Sequence, residues 1–480
     1  MRLTVVLRLL LFVALSGSLA ARAASPAPKL DGIWSSVGYG TILNIKNGLV
    51  DVYDVNNVTC LKRSERTKLD EDIFREPQLS EDGQRLTTLS AIGLTTIRYE
   101  RQQALPKSCS ARSRDANDAL YNFDAFWSWF DEQYAFFGRR GIDWQRVRAD
   151  YRPKVSSDTS QAQLREVFTS ILRQFQDAHV SLSGSDFRVN SGTPPLFERW
   201  FADYQRTAAG KMSLDAFAKT LTKTSLRKSW ERNLDLASVR EVSLNTVTGT
   251  AGNGRIGYLL VTAESGYSQI RKLAEDQTAA LAELDQDFRD LHRYQALIID
   301  MRINFGGHDD IALGLAGLLT NQDRPGLSKC SRSGAGFTPL QQTLIRARES
   351  AFTGPVVILS SPYNVSAGEN FMMMVKDYPN VLIVGDRTSG VHSDTLDKTL
   401  PNGWEVSISN EAFVAPDGTM YETVGVPPDV LVPYYPDEVA RTGVDPGLEK
   451  AIHLLSSDRA PELAAAAKRT GARGVPSPCR

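Results

Sequence analysis

Ser366 has the sequence surroundings that best suit a covalent nucleophile. An apolar run, PVVILS at 355–360, leads through a short polar segment to Ser366-Ala367-Gly368-Glu369 and then to a second apolar run. This pattern predicts a buried strand followed by a helix that begins at Ser366. At such a position the Ala367 N–H and the helix dipole can stabilise an oxyanion. The same residues also fit the S-x-x-E capping box, in which Ser366 and Glu369 only cap the helix, so the sequence leaves both interpretations open.

A serine nucleophile needs a base, and the chain has five histidines. His179 is the leading candidate because it lies at a predicted loop-to-strand transition, where functional side chains are often presented. His308 follows a glycine loop and His392 follows a Thr-Ser-Gly turn, so either can also approach the serine. His292 and His453 lie in helical stretches and are expected to be solvated.

Gly306 and Gly307 follow another predicted buried strand, ALIIDM at 296–301. Adjacent glycines permit positive φ and close backbone approach, so their N–H groups can point at a carbonyl oxygen. The alternative is a tight connection without a chemical role. A metal site at His308-Asp309-Asp310 is not expected, since adjacent residues rarely share one ion, and Asp309 is predicted to be a helix N-cap. No metal or organic cofactor is expected.

The elements that must position these residues alternate between strand and helix from residue 254 to 458. Such alternation predicts an α/β fold with a mostly parallel sheet, and parallel sheets place catalytic groups at strand-to-helix turns of this kind. Residues 114–183 are predicted to be helical, with aromatic side chains that form a core, 184–253 to be mixed, and 459–480 to be a C-terminal tail. Residues 28–113 show short alternating runs around Asn47-Gly48, which predicts a small β-rich N-terminal domain.

Composition and charge are those of a globular protein. The chain has 480 residues, and its 55 basic residues nearly balance its 56 acidic ones, so nucleic-acid binding is not expected. Residues 1–23 resemble a secretory signal peptide, with Arg2 and Arg8 around an apolar stretch; an uncleaved membrane anchor is the alternative. We therefore expect an exported protein, periplasmic or extracellular, without stable membrane insertion of the mature chain.

Export affects the expected oxidation state of the four cysteines, Cys60, Cys109, Cys330 and Cys479. In an oxidising compartment they can form two disulfides in any of about three pairings. Cys60 with Cys109 is favoured because both lie in the N-terminal domain, which leaves Cys330 with Cys479 to tie the tail to the main domain. Buried free thiols are the alternative.

Five segments, taken in order, resemble the tail-specific or carboxyl-terminal processing peptidases, in the branch that includes the tricorn protease core and the retinoid-binding protein of the eye. They lie between residues 115 and 433 and read QDAHVSL, ALIIDMRINFGGHDD, GPVVILSSPYNVSAGENF, VLIVGDRTSG and ETVGVPPDVLVP. The resemblance implies a crotonase-like α/β protease core and a polypeptide substrate. No convincing match to the family's PDZ module is found between residues 184 and 253.

The resemblance also implies a role for the serine and its surroundings. Ser366 would be the acylated nucleophile. The N–H groups of Ala367 and of Gly306 or Gly307 would form the oxyanion hole.

Two base arrangements occur in the family, and the resemblance favours one of them. The bacterial processing branch uses a Lys where this sequence has Val391. The tricorn-like branch uses a His, matched by His179, and a Glu that helps to orient it, matched by Glu422; an ordinary exposed loop carboxylate is the alternative for Glu422. Tricorn has a Ser where this chain has Ala178, which leaves the orientation of His179 open.

The predicted function is an exported serine endopeptidase that works through an acyl-enzyme on Ser366. One alternative is a catalytically inactive binding protein on the same fold. Another is a serine hydrolase that acts on non-peptide esters. The sequence predicts neither the oligomeric state nor the natural substrate.

Overall fold

The structure is a computed structural model that describes residues 30–63, 67–68, 74–90, 94–110, 114–192, 214–269, 273–456, 475–476 and 478–479. The predicted signal peptide and most of the predicted C-terminal tail lie outside the described residues. Part of the mixed segment 184–253 also lies outside them. The fold is α/β, as predicted, and the boundaries between domains stay a prediction.

The N-terminal residues form an eight-stranded antiparallel sheet in the order β4-β3-β2-β1-β8-β7-β6, with β5 paired to β3. Asn47 and Gly48 form the predicted hairpin turn between β2 and β3, and both have positive φ. One face buries an apolar cluster around Trp34 and Tyr99. The strands are β1 (Gly32–Ser36), β2 (Thr41–Lys46), β3 (Leu49–Val55), β4 (Cys60–Lys62), β5 (Thr67–Lys68), β6 (Phe74–Leu79), β7 (Arg85–Ser90) and β8 (Thr96–Gln102).

A helical segment follows, with α1 (Ala119–Gln133), α2 (Trp144–Tyr151) and α3 (Gln161–Leu172). The Asp118 carboxylate caps α1 by accepting the N–H groups of Leu120 and Tyr121. The aromatic side chains of this segment pack into one buried cluster, so their predicted role as core is confirmed.

The central sheet has seven strands in the order β11-β12-β13-β14-β18-β19-β24, and its pairs from β13 onwards are parallel. Strands β13, β14, β18 and β19 are buried along their whole length because apolar clusters cover both faces. The strands are β11 (Arg240–Glu241), β12 (Thr246–Ala251), β13 (Ile256–Val261), β14 (Ala296–Asp300), β18 (Val356–Ser360), β19 (Val381–Gly385) and β24 (Val430–Leu431).

Helices cover this sheet, and the two turns that matter for the site leave its carboxyl edge after β14 and β18. The helices are α4 (Leu214–Asn233), α5 (Leu273–Leu291), α6 (Asp309–Gly317), α7 (Ala367–Val375), α8 (Pro436–Thr442) and α9 (Pro446–Ser456). Helix α6 follows β14, and α7 follows β18. Parallel strands therefore bring the glycine loop and Ser366 to the same edge.

Smaller sheets surround the site. One has the order β10-β9-β21-β20, and another joins β15 to β16, β17 and β22. A short pair, β23 with β25, holds the end of the chain. The strands are β9 (Ser181–Ser183), β10 (Arg188–Asn190), β15 (Arg324–Ser333), β16 (Gly336–Phe337), β17 (Gln341–Ile345), β20 (Thr395–Thr399), β21 (Glu405–Ser409), β22 (Glu411–Val414), β23 (Thr419–Met420) and β25 (Val475–Pro476).

The two disulfides form the favoured pairs, Cys60 with Cys109 and Cys330 with Cys479. The prediction of the pairing is confirmed, and the alternative of free thiols is wrong. The first bridge closes the N-terminal sheet onto the chain that leaves it. The second ties the end of the chain to β15.

Candidate active site

Ser366 lies at the N-terminus of α7 with a backbone conformation of φ +56° and ψ −126°. A non-glycine residue at positive φ stores about 1–3 kcal/mol of strain, and such residues cluster at functional sites. The Ser366 N–H donates to the Val391 carbonyl (3.0 Å), and the side chain makes no capping hydrogen bond. The hydroxyl is therefore not used to cap its own helix.

The capping-box interpretation of Ser366 and Glu369 is wrong. The Glu369 carboxylate is fully buried and accepts the N–H groups of Gly390 (2.6 Å) and Val391 (2.8 Å) instead. Charge-assisted bonds to two backbone donors are stronger than one bond to a neighbouring helix N–H. Glu369 thus holds the 390–391 turn beside Ser366.

The glycine loop after β14 lies against Ser366. Gly306 has φ +75°, and a Cβ at this position would lie 2.6 Å from Ser366 Cβ and 3.2 Å from the Ala367 nitrogen. The Gly306 N–H donates to Asn304 Oδ1 (2.8 Å). Among the described residues, the N–H groups of Gly307 and Ala367 have no hydrogen-bond acceptor. Two free donors are consequently available close to the serine.

Glu264 and Asn304 shape this loop, and the sequence did not point to either. Asn304 Nδ2 donates to Glu264 Oε1 (2.8 Å), while the Glu264 N–H donates to the Gly306 carbonyl (3.0 Å). Burial raises the pKa of Glu264 to about 7, although the Asn304 hydrogen bond opposes this shift. Asn304 lies in the segment ALIIDMRINFGGHDD, which resembles the family. No local sequence pattern identifies a buried carboxylate, such as Glu264, that supports a loop.

His179 is half-buried in the turn before β9, and its backbone N–H donates to Asp177 Oδ1 (3.0 Å). Its ring Nδ1 is buried without a hydrogen-bond partner in the described part of the chain, so Nε2 is the ring nitrogen left for a reaction. Burial lowers the pKa of His392, Glu369 opposes this shift, and the charge of His179 adds to it. His179 therefore lies close to the 391–394 loop, which contacts Ser366 through the Val391 carbonyl.

The other histidines have different surroundings. His392 is fully buried, with Nδ1 3.0 Å from Asn370 Oδ1 and Nε2 3.5 Å from Glu369 Oε1. His308 Nε2 lies 3.8 Å from Asp276 Oδ2. His292 and His453 are exposed, as predicted. His179 and His308 are both partly exposed and close to the 391–394 loop, but His308 already has Asp276 as a neighbour.

The prediction that Asp309 is an N-cap is wrong. His308 is the N-cap of α6, and Asp309 is its first residue. Asp309 is buried, and its Oδ1 accepts a hydrogen bond from Asn370 Nδ2 (2.9 Å). Its carboxylate is used for a contact between two helices and not for capping.

Glu422 is buried, with 1% of its surface exposed, so the alternative of an exposed loop carboxylate is wrong. Its Oε2 accepts the N–H groups of His392 (2.8 Å) and Ser393 (3.1 Å), and its Oε1 lies 3.4 Å from Arg140 Nη2. Burial raises the pKa of Glu422 to about 8, the charge of Asp177 adds to this shift, and Arg140 opposes it. Within the described residues Glu422 makes no hydrogen bond to a histidine ring.

Arg140 connects the Glu422 loop to the His179 turn. Its Nε lies 3.4 Å from Asp177 Oδ2, and its Nη1 donates to the Gln176 carbonyl (2.6 Å). The Tyr134 hydroxyl also donates to Asp177 Oδ2 (3.0 Å). Sequence reasoning missed Arg140 and Tyr134, since they precede the turn by about forty residues on the predicted helical segment.

No cluster of three or more His, Cys, Asp and Glu side chains in the described part of the chain is arranged to hold a metal ion. Among the same residues, no helix is long and apolar enough to span a membrane.

The fold is α/β, and its parallel sheet brings Ser366 and the glycine loop to one edge. Residues 255–432 match Peptidase family S41, and residues 115–173 match the Tricorn protease C1 domain. These matches confirm the predicted resemblance to the tail-specific processing peptidases.

Two curated relatives illustrate the match. The tricorn protease of Thermoplasma volcanium is 29% identical over 209 residues, which cover 43% of this chain and 18% of the relative. The chloroplastic C-terminal processing peptidase of Tetradesmus obliquus is 28% identical over 230 residues, which cover 47% of this chain and 46% of the relative. The matched region spans less than half the length of either relative.

Solved structures share the fold. One from Parabacteroides merdae is 22% identical, with a TM-score of 0.56, and covers 72% of this chain and 98% of that structure. Mature CPAF is 14% identical, with a TM-score of 0.51, and covers 73% of this chain and 98% of that structure.

Proposed function

We propose that this chain is an exported serine endopeptidase that cleaves peptide bonds through an acyl-enzyme on Ser366, with His179 as the general base. The observation that carries the proposal is the strained, uncapped backbone of Ser366 at a helix start, in contact with the glycine loop. Strain of this kind persists only where the surrounding structure enforces it. A serine that served only as a cap would have no need of it.

In the proposed reaction, Ser366 Oγ attacks the substrate carbonyl carbon as His179 Nε2 takes the hydroxyl proton. The oxyanion accepts hydrogen bonds from the N–H groups of Ala367 and Gly307, the two donors without an acceptor among the described residues. We prefer Gly307 to Gly306 because the Gly306 N–H already donates to Asn304.

Collapse of the tetrahedral intermediate breaks the C–N bond, and His179 gives its proton to the leaving amine. Water then attacks the acyl-enzyme, with His179 as its base, and restores the Ser366 hydroxyl.

Glu422 acts in this scheme as a positioning residue. It holds the backbone of His392 and Ser393 and, through Arg140, the Asp177 turn that precedes His179. The first of these segments borders the serine, since the Val391 carbonyl accepts the Ser366 N–H. Loss of Glu422 is expected to displace the base and the nucleophile relative to each other.

Casein digestion by the purified mature chain tests the proposal, with Ser366→Ala and His179→Ala beside the wild type. Both variants are expected to lose at least about 10³-fold in rate, as loss of a triad member does in serine proteases. His453→Ala, an exposed histidine on α9, is the matched control and should cleave normally. Cleavage that survives Ser366→Ala would refute the proposal.

The same assay separates the two other functions. Unchanged casein with rapid hydrolysis of a small ester would indicate an esterase. Absence of acylation with either substrate would indicate a binding protein. This function is the second candidate because His179 Nδ1 has no hydrogen-bond partner among the described residues.

Export is proposed from the signal-like residues 1–23 and from the two disulfides. N-terminal sequencing of the protein recovered from an expressing bacterium is expected to start after residue 23, in the periplasm or medium. Recovery of the chain with Met1 in the cytosol would contradict export.

A further inference from the structure

A buried chain of polar contacts runs from the N-terminal sheet to the loop before β20. The Tyr39 hydroxyl donates to Glu411 Oε1 (2.5 Å), Lys329 Nζ donates to Glu411 Oε2 (3.0 Å), and the same Nζ donates to Asp394 Oδ2 (3.0 Å). The side chains of Lys329 and Glu411 are 1% and 2% exposed. Buried charges of this kind are costly unless paired, so each member depends on the next.

Asp394 lies beside His179 because of the strand register. Ser181 of β9 pairs with Ser407 of β21, and Ser407 pairs with Asp397 of β20. His179 precedes Ser181 by two residues, and Asp394 precedes Asp397 by three, so both lie at the same end of the sheet on either side of β21. Two strand spacings separate their backbones by about 10 Å, a gap that a His and an Asp side chain can bridge.

Electrostatics agrees with this placement. Burial raises the pKa of Asp394, but Lys329, a hydrogen bond with Glu411 and, to a smaller extent, His179 reverse the shift and hold that pKa below its usual value. Charged or titratable groups near His179 include Asp177 on its own turn, Arg140 of the helical segment, which contacts that turn, and His392 and Asp394 on the facing loop. Asp177 is already used by Tyr134 and Arg140, and His392 by Asn370.

We propose that Asp394 is the carboxylate that orients His179, and that Tyr39 of the N-terminal sheet holds Asp394 in place through Glu411 and Lys329. The inference rests on the proposed function and deepens it. It assigns a nearby carboxylate to His179 Nδ1, which makes no hydrogen bond among the described residues, in a chain that has Ala178 where tricorn has a Ser. It also makes the N-terminal sheet a working part of the active site.

The N-terminal sheet is docked firmly enough for this role. Tyr39 lies between Gly38 and Gly40, and all three have positive φ, a strained turn that directs the Tyr39 side chain inward. A Cβ on Gly40 would lie 2.5 Å from the Trp129 ring, so the turn packs directly on α1. Lys398 Nζ donates to Asp54 Oδ1 (2.7 Å) in a second buried pair between the sheet and β20.

Steady-state kinetics against pH tests Asp394 first. Asp394→Asn is expected to lower kcat at least about 10²-fold with little change in KM, because the ring loses its orienting carboxylate. The acidic limb of the kcat/KM profile should move to lower pH, since a neutral amide no longer stabilises the imidazolium. Asp397→Asn, an exposed aspartate on β20 three residues further along the chain, is the matched control and should match the wild type.

Tyr39→Phe tests the link to the N-terminal sheet. It removes one hydroxyl, and kcat should fall about fivefold, the factor that corresponds to one hydrogen bond, with the pH profile moved in the same direction as in Asp394→Asn. Tyr53→Phe, a half-buried tyrosine of the same sheet, should behave as wild type. A Tyr39→Phe protein with a lower melting temperature but an unchanged kcat and pH profile would show a merely structural role and overturn this link.

A readout without proteolysis separates this inference from the proposed function. In 15N-histidine spectra of the full chain, the His179 ring signals should change in Asp394→Asn and in Tyr39→Phe, and stay unchanged in Asp397→Asn. Unchanged His179 signals in Asp394→Asn would overturn the inference even if Ser366 is the nucleophile. Changed signals in a protein that cannot be acylated would refute only the proposed function.

Discussion

Gly306→Ala is a substitution whose effect follows directly from the backbone geometry. The new Cβ would lie 2.6 Å from Ser366 Cβ and 3.0 Å from the Val365 carbonyl oxygen. Carbon atoms in contact need about 3.5–4.0 Å, so the glycine loop and the serine turn must separate by about 1 Å. Both sides of the proposed oxyanion hole lie on these two segments.

The expected loss in rate is large. A misplacement of about 1 Å costs about 10²-fold, and loss of one oxyanion donor costs about 10²–10³-fold in kcat. We therefore expect kcat to fall about 10²–10³-fold, with a small change in KM because the substrate contacts remain. An alanine at φ +75° also costs about 1–2 kcal/mol in the free energy of unfolding.

The assay is single-turnover acylation of Ser366 with an activated ester, which isolates the step that the oxyanion hole serves. Gly403→Ala is the matched control, since Gly403 has φ +83° and no atom lies within 4 Å of the place that its Cβ would take. The control therefore has the same backbone strain without the collision. A Gly306→Ala protein that is acylated as fast as Gly403→Ala would refute the reasoning.

Three further predictions concern stability. Glu264→Gln should remove a pH dependence of the free energy of unfolding. The pKa of Glu264 in the folded chain, about 7, lies above the ordinary value of 4.5. Its contribution to stability is therefore fully present below pH 4.5 and is lost as the pH rises through 7. Urea titrations should show wild type losing about 3 kcal/mol more than the variant across that window. Cys330→Ser should cost about 2–5 kcal/mol, measured by urea unfolding, because its bridge to Cys479 joins residues 149 apart. Asp54→Asn should cost about 3–5 kcal/mol in the same assay by leaving Lys398 buried without its partner; a loss below about 1 kcal/mol would contradict it.

Much of the fold could be predicted from local pattern. Alternating apolar runs predicted the parallel strands around β14 and β18, because strands buried on both faces are continuously apolar. The aromatic spacing of α1 predicted a core, and cysteine positions predicted the disulfides. These signals lie within single elements or follow from the domain boundaries.

Errors arose where a distant partner decided a side chain's role. Ser366 and Glu369 fit a capping box locally, but the Glu369 carboxylate binds N–H groups about twenty residues away. Asp309 similarly bonds Asn370 on another helix. A local motif indicates which hydrogen-bond partners a side chain can reach within one helical turn. It carries no information about competing hydrogen-bond donors from other loops.

The polar chain to His179 had no sequence signal at all. Tyr39 and Glu411 are 372 positions apart, and neither stands in a segment with a recognisable motif. Only the packing of the N-terminal sheet against β15 and β22 brings them together. Long-range burial of this kind becomes visible only in three dimensions.

Covalent labelling of Ser366 tests the central claim most directly. The mature protein would be treated with a fluorophosphonate, and the modified residue located by peptide mass spectrometry, in wild type, His179→Ala and His453→Ala. The account predicts one adduct, on Ser366, formed at normal rate in His453→Ala and at least about 10³-fold more slowly in His179→Ala. Labelling of Ser366 at the wild-type rate without His179, or peptide cleavage by a protein in which Ser366 stays unlabelled, would contradict it.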